Sequence, residues 1–316
     1  MKMKKLITIS LAVSGLLACS LNINAQALQF LNINPDARVM GMANTGTVAT
    51  ATAFSMYNNT AATALASNDR TMDVGVSYGL WQPGYSANHM ISAAGYGKIT
   101  NFMTIAAGVR YFTHGSYDIT DDSGAAAGTF APKDLVAGIG LGFKVLPILS
   151  LSANVNYVMS QIAPSATGNA VSADFGAMVD LKFLKVGVTA SNIGSKIKYA
   201  ETPYSLPANA KLGVGTTQYF GRDGKSYVSV NAQAGMLFAN SDFFAEAGAE
   251  YCYNDLFRIS AGYHYGKENS AAIPSYVTAG LGVKFFGVYV NAAYLTGLKG
   301  DSPLNNSFQI GLGYTF

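Results

Sequence analysis

Along most of the chain, apolar residues alternate with small or polar ones at a period of two. The final segment is the cleanest. Phe308, Ile310, Leu312, Tyr314 and Phe316 share one parity, and Gln309, Gly311, Gly313 and Thr315 share the other. Successive side chains of a strand point to opposite faces, so this segment predicts a strand with one greasy and one small or polar face. The same alternation recurs at Leu149, Leu151, Ala153, Val155 and Tyr157, opposed by Ser150, Ser152, Asn154 and Asn156. It returns at Phe257, Ile259, Ala261, Tyr263 and Tyr265, opposed by Arg258, Ser260, Gly262 and His264. Carried through the chain, the pattern predicts fourteen strands, over 71–80, 87–97, 101–113, 134–144, 149–160, 169–183, 186–193, 206–219, 226–236, 243–252, 256–266, 275–285, 288–296 and 306–316. The fold class is all-β.

A soluble sandwich also alternates, so parity alone does not separate it from a membrane barrel. The connections do more. Those at 98–100, 145–148, 184–185, 253–255 and 286–287 are tight, whereas those at 114–133, 161–168, 194–205 and 296–305 are long. Alternating short and long ends predict an up-and-down transmembrane antiparallel β-barrel of about 14 strands over residues 71–316, with tight periplasmic turns and longer outer loops. An even strand number returns both termini to the periplasmic side. A sandwich would turn polar residues outward, and here the outward residues would be Phe, Ile, Leu and Tyr. The chain is 50% apolar and 12% charged, yet no run approaches the roughly 18 apolar residues that a spanning helix needs. Tyr314 and Phe316 end the chain on its last strand, an arrangement that resembles the C-terminal signal read by the outer-membrane insertion machinery.

The first residues read as an address. Lys2, Lys4 and Lys5 precede an apolar run from Leu6 to Ala18, and small residues follow at Ala25 and Ala27. This is the order of a secretory signal over residues 1–25, with cleavage between Ala25 and Gln26. A rival reading takes Leu16, Leu17, Ala18 and Cys19 as a lipoprotein box with Cys19 acylated. Removing three lysines and no acid lowers the formal charge from +3 to zero, so nucleic-acid binding loses its electrostatic basis. Without Cys19, Cys252 is the last cysteine and no intrachain disulfide can form. An outer-membrane protein of a Gram-negative bacterium is the expected destination, with outer-membrane lipid around it.

The inward parity suggests an occupied lumen. Gly138, Gly140 and Gly142 share one face of a strand, and the pattern repeats at Gly213 and Gly215, Gly280 and Gly282, and Gly311 and Gly313. Such glycines admit a close neighbour or allow the wall to bend. The segment 26–70 is rich in Ala, Thr, Gly, Asn and Met and lacks period-two patterning, which makes it a candidate plug. It is expected to carry a short helical stretch around 48–56 and to enter the periplasmic half, with a disordered leader as the alternative. A hairpin turning about Asn254 would set Glu250 opposite Arg258 inside the barrel, with Glu246 one step up and Arg110, Asp174 and Asp180 on the same polar face. Arg38, beside Asp36 in the leader, could dock on one of these acids. Asp36, Arg38, Arg110, Glu246, Glu250 and Arg258 are therefore the candidate plug and lumen contacts.

Catalytic chemistry is sparse. His89, His114 and His264 lack metal-ligand spacing, no nucleophile elbow occurs, and the GIGLG run at Gly138 has no helix start or acidic ribose partner. No catalytic, cofactor or metal residue is assigned, and a non-enzymatic protein is expected.

The run from Leu28 to Leu65 resembles the N-terminal signature of PorV/PorQ-type outer-membrane proteins, a branch of the FadL-like barrels. Phe30, Leu31, Pro35, Asp36, Ala37, Arg38, Gly41 and Met42 carry the resemblance, followed by Gly46 and Ala49. Asn192, Ile193 and Gly194 before Ile197, Lys198 and Tyr199 are similar to its mid-barrel motif, and Leu206 and Pro207 before Leu212 and Gly213 to the next. One departure is the absence of proline from Tyr57, Asn58, Asn59 and Thr60, where the family usually has an aromatic, Asn, Pro and Ala. The resemblance implies a fourteen-strand FadL-like barrel and two roles. PorV-like members bind a large type IX secretion translocon and its exported cargo, whereas FadL-like members move hydrophobic compounds through the wall.

Overall fold

The structure is a computed structural model that describes residues 28–66, 71–120, 124–221, 223–267 and 273–316. The expected signal, its Ala25–Gln26 cleavage site and Cys19 lie outside the described residues.

The strands in chain order are β1 (Met72–Trp81), β2 (Asn88–Lys98), β3 (Met103–Thr113), β4 (Tyr117–Thr120), β5 (Ala126–Phe130), β6 (Lys133–Leu146), β7 (Leu149–Ala163), β8 (Ala166–Asp180) and β9 (Lys185–Gly194). They continue as β10 (Ile197–Tyr199), β11 (Thr202–Tyr204), β12 (Asn209–Phe220), β13 (Ser226–Leu237), β14 (Asp242–Tyr253), β15 (Phe257–Gly266), β16 (Tyr276–Phe285), β17 (Val288–Gly297) and β18 (Ser307–Thr315). Fourteen of them close into one antiparallel barrel in which each strand pairs with its sequence neighbour, and β1 meets β18 at the seam. Closure leaves no strand edge unpaired, which a bilayer demands because it offers no hydrogen bonds to free backbone groups. At the seam Phe316 N donates to Met72 O at 2.8 Å, and Thr71 N donates to Phe316 O at 3.1 Å. Both ends of the barrel chain therefore sit among the short turns.

The two remaining pairs, β4–β5 and β10–β11, are small hairpins inside long loops. A third connection differs from the sequence expectation. Residues 161–168 are not a long loop, because β7 and β8 stay paired as far as Ala163 and Ala166 and only Pro164 and Ser165 turn between them. The paired residues there, Gln161 with Thr167 and Ser160 with Gly168, are polar or small, so the ribbon rises beyond the greasy band where the apolar alternation that marks a strand fades.

The two faces divide sharply. Ile139 is 64% exposed and Leu281 65% on the outside, whereas Asn154, Asn156, Ser172 and Gln233 are buried on the inside. Exposed rings at Phe102, Phe183, Tyr219, Tyr253, Phe257 and Phe286 gather near the short turns, where an aromatic girdle meets the membrane interface. No described helix is long and apolar enough to cross a membrane.

Replacing Ile139 by Lys near mid-barrel is expected to cost about 2–4 kcal/mol in reversible unfolding from phospholipid vesicles. A cost below about 0.5 kcal/mol, the usual range of a neutral surface change, would show that Ile139 does not face hydrocarbon.

Candidate functional site: a segment threaded through the barrel

Residues 28–66 run inside the barrel from the long-loop end to the short-turn end. Near the loops, Phe30 stacks on Phe112 at 5.3 Å between ring centroids, and the cluster around it includes Leu31, Ile33, Trp81, Tyr199 and Leu304. Near the turns, Met56, Ala61 and Ala62 pack with Tyr96, Ala106 and Met178. Lys98 Nζ then donates to Ala66 O at 2.8 Å. The segment thus fills the outer half of the lumen as well as the periplasmic half, where the sequence placed it.

Its helical pieces are short, with helices at Ala37–Met40 and Ala61–Leu65 and 3-10 turns at Gln29–Asn32 and Ser55–Tyr57. The helix expected over 48–56 is absent apart from the turn at Ser55. Side chains there take over backbone roles: Thr52 N donates to Ser55 Oγ at 2.9 Å, and Thr52 Oγ1 donates to Asp36 Oδ2 at 2.7 Å. Asp36 in turn caps the helix Ala37–Met40, accepting from Arg38 N at 3.0 Å.

From that helix Arg38 reaches the wall. Its Nε donates to Glu250 Oε2 at 2.9 Å and its Nη2 to Glu250 Oε1 at 2.6 Å, a two-point contact between planar groups. Tyr227 completes the contact, accepting from Arg38 Nη2 and donating to Glu250 Oε1, each at 3.0 Å. Glu250 is 2% exposed, so removing its cation would leave a buried charge.

Arg258 does not take Glu250. The hairpin turns one residue later than the sequence reading placed it, setting Cys252 opposite Arg258 and Glu250 opposite Ser260. Arg258 Nη1 instead donates to Asn291 Oδ1 at 3.3 Å. Glu246, two inward positions above Glu250, accepts from Asn44 Nδ2 at 3.2 Å and from Gln233 Nε2, and its Oε1 lies 2.9 Å from His264 Nδ1. Arg110 Nη1 donates to the segment's Ile33 O at 2.7 Å. Asp174 accepts from Asn156 Nδ2 and Asn192 N, both at 2.7 Å, and Asp180 lies at the short-turn end, where it accepts from Lys182 N at 2.9 Å. The three histidines stay apart, and no metal-binding cluster occurs among the described residues.

Neutral side chains do as much of the holding. Thr278 Oγ1 donates to Gly41 O and accepts from Ala43 N, both at 3.0 Å. Gln233 Oε1 accepts from Thr47 N at 3.0 Å, while its Nε2 donates to Asn44 O at 3.0 Å. Lower down, Thr60 Oγ1 donates to Asn154 Oδ1 at 2.8 Å and Ser150 Oγ to Ala61 O at 2.7 Å. The alternation places Ser150 and Asn154 on a polar face, but it does not mark them, or Gln233 and Thr278, as contacts of the segment. Glycine makes the approach possible: a Cβ on Gly280 would lie 2.9 Å from Gly41 Cα, and one on Gly262 2.5 Å from Ala43 N. Deeper than the loop end, spaces between segment and wall measure about 50, 10 and 20 Å³. They admit water but not a ligand the size of a benzene ring, for which a cavity of about 150 Å³ has served.

The family model described as type IX secretion system protein PorV matches residues 20–239. No curated protein matches the chain. Among solved structures, the chain is similar to the Pseudomonas putida toluene transporter TodX, at 13% identity and TM-score 0.58 over 94% of this chain and 99% of that one. It is similar to the CymD monoaromatic hydrocarbon channel at 11% identity and TM-score 0.62, over 94% and 99%. A Pseudomonas aeruginosa FadL homologue gives 12% identity and TM-score 0.55 over 93% and 100%. At these identities the likeness establishes a FadL-like fold.

Arg38→Ala is expected to destabilise the seated segment by about 3–5 kcal/mol, since it strands the Glu250 carboxylate. Cells carrying it should become more sensitive to bulky antibiotics, and the segment should become open to protease. Adding Glu250→Ala should restore part of both. Unchanged permeability and protease resistance in the single variant would show that this ion pair does not hold the segment.

Proposed function

The chain belongs to the PorV family of type IX secretion system proteins, and we propose that it serves in the outer membrane as a non-enzymatic partner-binding barrel of a protein-secretion complex. The observation that carries this reading is the filled lumen. A conduit needs a continuous path, and here the threaded segment bonds to opposite walls, to Glu250 and Thr278 on one side and to Ser150 and Asn154 on the other. What remains free for function is the lateral wall and the loop end, and both suit the binding of proteins. A large translocon in the same membrane and its exported cargo are the partners this reading calls for. Within it, residues 1–25 act as the export signal, 26–70 as a structural plug, and Tyr314 with Phe316 as the insertion signal.

The runner-up is passage of hydrophobic small molecules, which the likeness in fold to the toluene transporter TodX and the CymD monoaromatic hydrocarbon channel supports. For this chain it would require the segment to leave its bonds with Glu250, Glu246 and Thr278.

The two readings separate in one deletion strain. Loss of the protein should trap secreted cargo inside the cell while leaving growth on hydrophobic compounds unchanged, and the tagged protein should co-purify with a much larger membrane protein. Normal secretion together with impaired uptake of an aromatic hydrocarbon would reverse the assignment.

A further inference from the structure

A separate cavity of about 450 Å³ opens at the long-loop end, above the first turn of the threaded segment. Its volume falls within the range of small-ligand pockets. The rings of Trp81, Phe112 and Tyr199 form its walls, and Tyr85 stands at the rim, 81% exposed. Tyr199 is fixed in place, donating its hydroxyl hydrogen to Ser160 Oγ at 2.6 Å.

One carboxylate stands among these rings. Asp134 is 3% exposed; His114 Nε2 lies 2.8 Å from its Oδ2, and no hydrogen bond reaches Oδ1 among the described residues. The Asp134 oxygen left without a protein donor suits a guest that brings N–H groups. Ring faces attract positive charge, and Asp134 supplies the opposite charge. The nearest buried cation, Arg110, is already engaged: it donates to Ile33 O and lies 5.2 Å from the Phe30 ring, on the side of the threaded segment.

We propose that this outer cavity is a binding site for an organic ammonium group, held by the Asp134 carboxylate among the rings of Trp81, Phe112 and Tyr199. A free amine and the lysine side chain of a passing polypeptide present the same chemistry. The inference stands on the cavity alone and does not require the secretion reading. A neutral apolar guest would fill the volume but leave the Asp134 carboxylate without a donor, and sites of this kind discriminate strongly against guests lacking the hydrogen-bonding group.

The chain contains a single tryptophan, and it lies in this wall, so its fluorescence reports occupancy directly. Full-length mature protein in detergent micelles is titrated with n-pentylammonium and with n-pentanol, which differ in charge and donor count at equal length. The ammonium is expected to shift the Trp81 signal saturably and to bind at least about tenfold more tightly than the alcohol, the ratio that one charge-assisted hydrogen bond supplies. Asp134→Asn should remove about that tenfold. A pentapeptide with central lysine, compared with its norleucine counterpart, distinguishes the sources. Binding of the lysine peptide assigns the site to polypeptide side chains, and binding of pentylammonium alone assigns it to free amines. Heat-modified gel mobility checks that each variant is folded, and the ammonium-to-alcohol ratio on the unmodified protein tests the proposal without any variant. Equal binding of alcohol and ammonium, or an unchanged ratio in folded Asp134→Asn, would overturn it.

Discussion

An irregular stretch of backbone held at bilayer depth must find every hydrogen bond inside the protein, because hydrocarbon supplies none. This constraint organises the whole molecule. The threaded segment has little helix to satisfy its own N–H and C=O groups, so the wall answers them with side chains: Thr278 for Gly41 and Ala43, Gln233 for Thr47 and Asn44, Ser150 for Ala61. The lumen is consequently lined mainly with amides and hydroxyls, with a few charges such as Arg110, Glu246, Glu250 and Arg258 among them. The pleat then forces the opposite parity outward, and that parity is free to be greasy. One requirement, satisfaction of an internal chain, thus sets the chemistry of both faces of the barrel.

The ion pair plays a different part from the neutral bonds. Withdrawing Arg38 and Glu250 from water costs several kcal/mol per ion, and their attraction offsets this only when the geometry is good and further hydrogen bonds are made. Both conditions hold, with two parallel N–H contacts and Tyr227 as a third partner. Such a pair contributes little net stability against an apolar substitute, yet it penalises every alternative register in which one charge stands alone. Glu246, with its donors Asn44 and Gln233, adds a second fixed point on the same strand. A smooth segment of small residues could otherwise slide along a glycine-rich wall. The two acids on β14, four residues apart on one face, fix its position.

Much of this architecture was legible in the residues because strand parity is local. All fourteen wall strands, their inward faces and the alternation of tight and long ends follow from a period of two and from turn residues. What could not be read depends on register and on pairing across the lumen. Placing the β14–β15 turn one residue too early was enough to pair Glu250 with Arg258 on paper, whereas the structure sets Cys252 opposite Arg258. The β7–β8 ribbon was missed because beyond the membrane band its residues no longer need to alternate. The path of the threaded segment was illegible for a deeper reason. Its structure is held by contacts hundreds of residues away, such as Gly41 with Thr278, and no local propensity encodes them.

The interior also shapes the exterior. Where Gly41, Met42 and Ala43 press against Gly280, Gly248 and Gly262, the wall comes as close as backbone allows. On the other side of those strands the outward residues are Ala249, Ala261, Ala279 and Ala292, framed by Tyr251, Ile259, Leu281, Tyr294 and Ile310. The result is an apolar hollow of about 770 Å³ in the lipid-facing surface, directly behind the stretch from Gly41 to Ala43. A barrel wall is a single layer of residues, so a chain that demands glycine inside sits behind whatever relief the intervening side chains leave outside. Small residues on both parities of β14, β15 and β16 therefore belong to one structural feature, with the seated segment on one face and the membrane on the other.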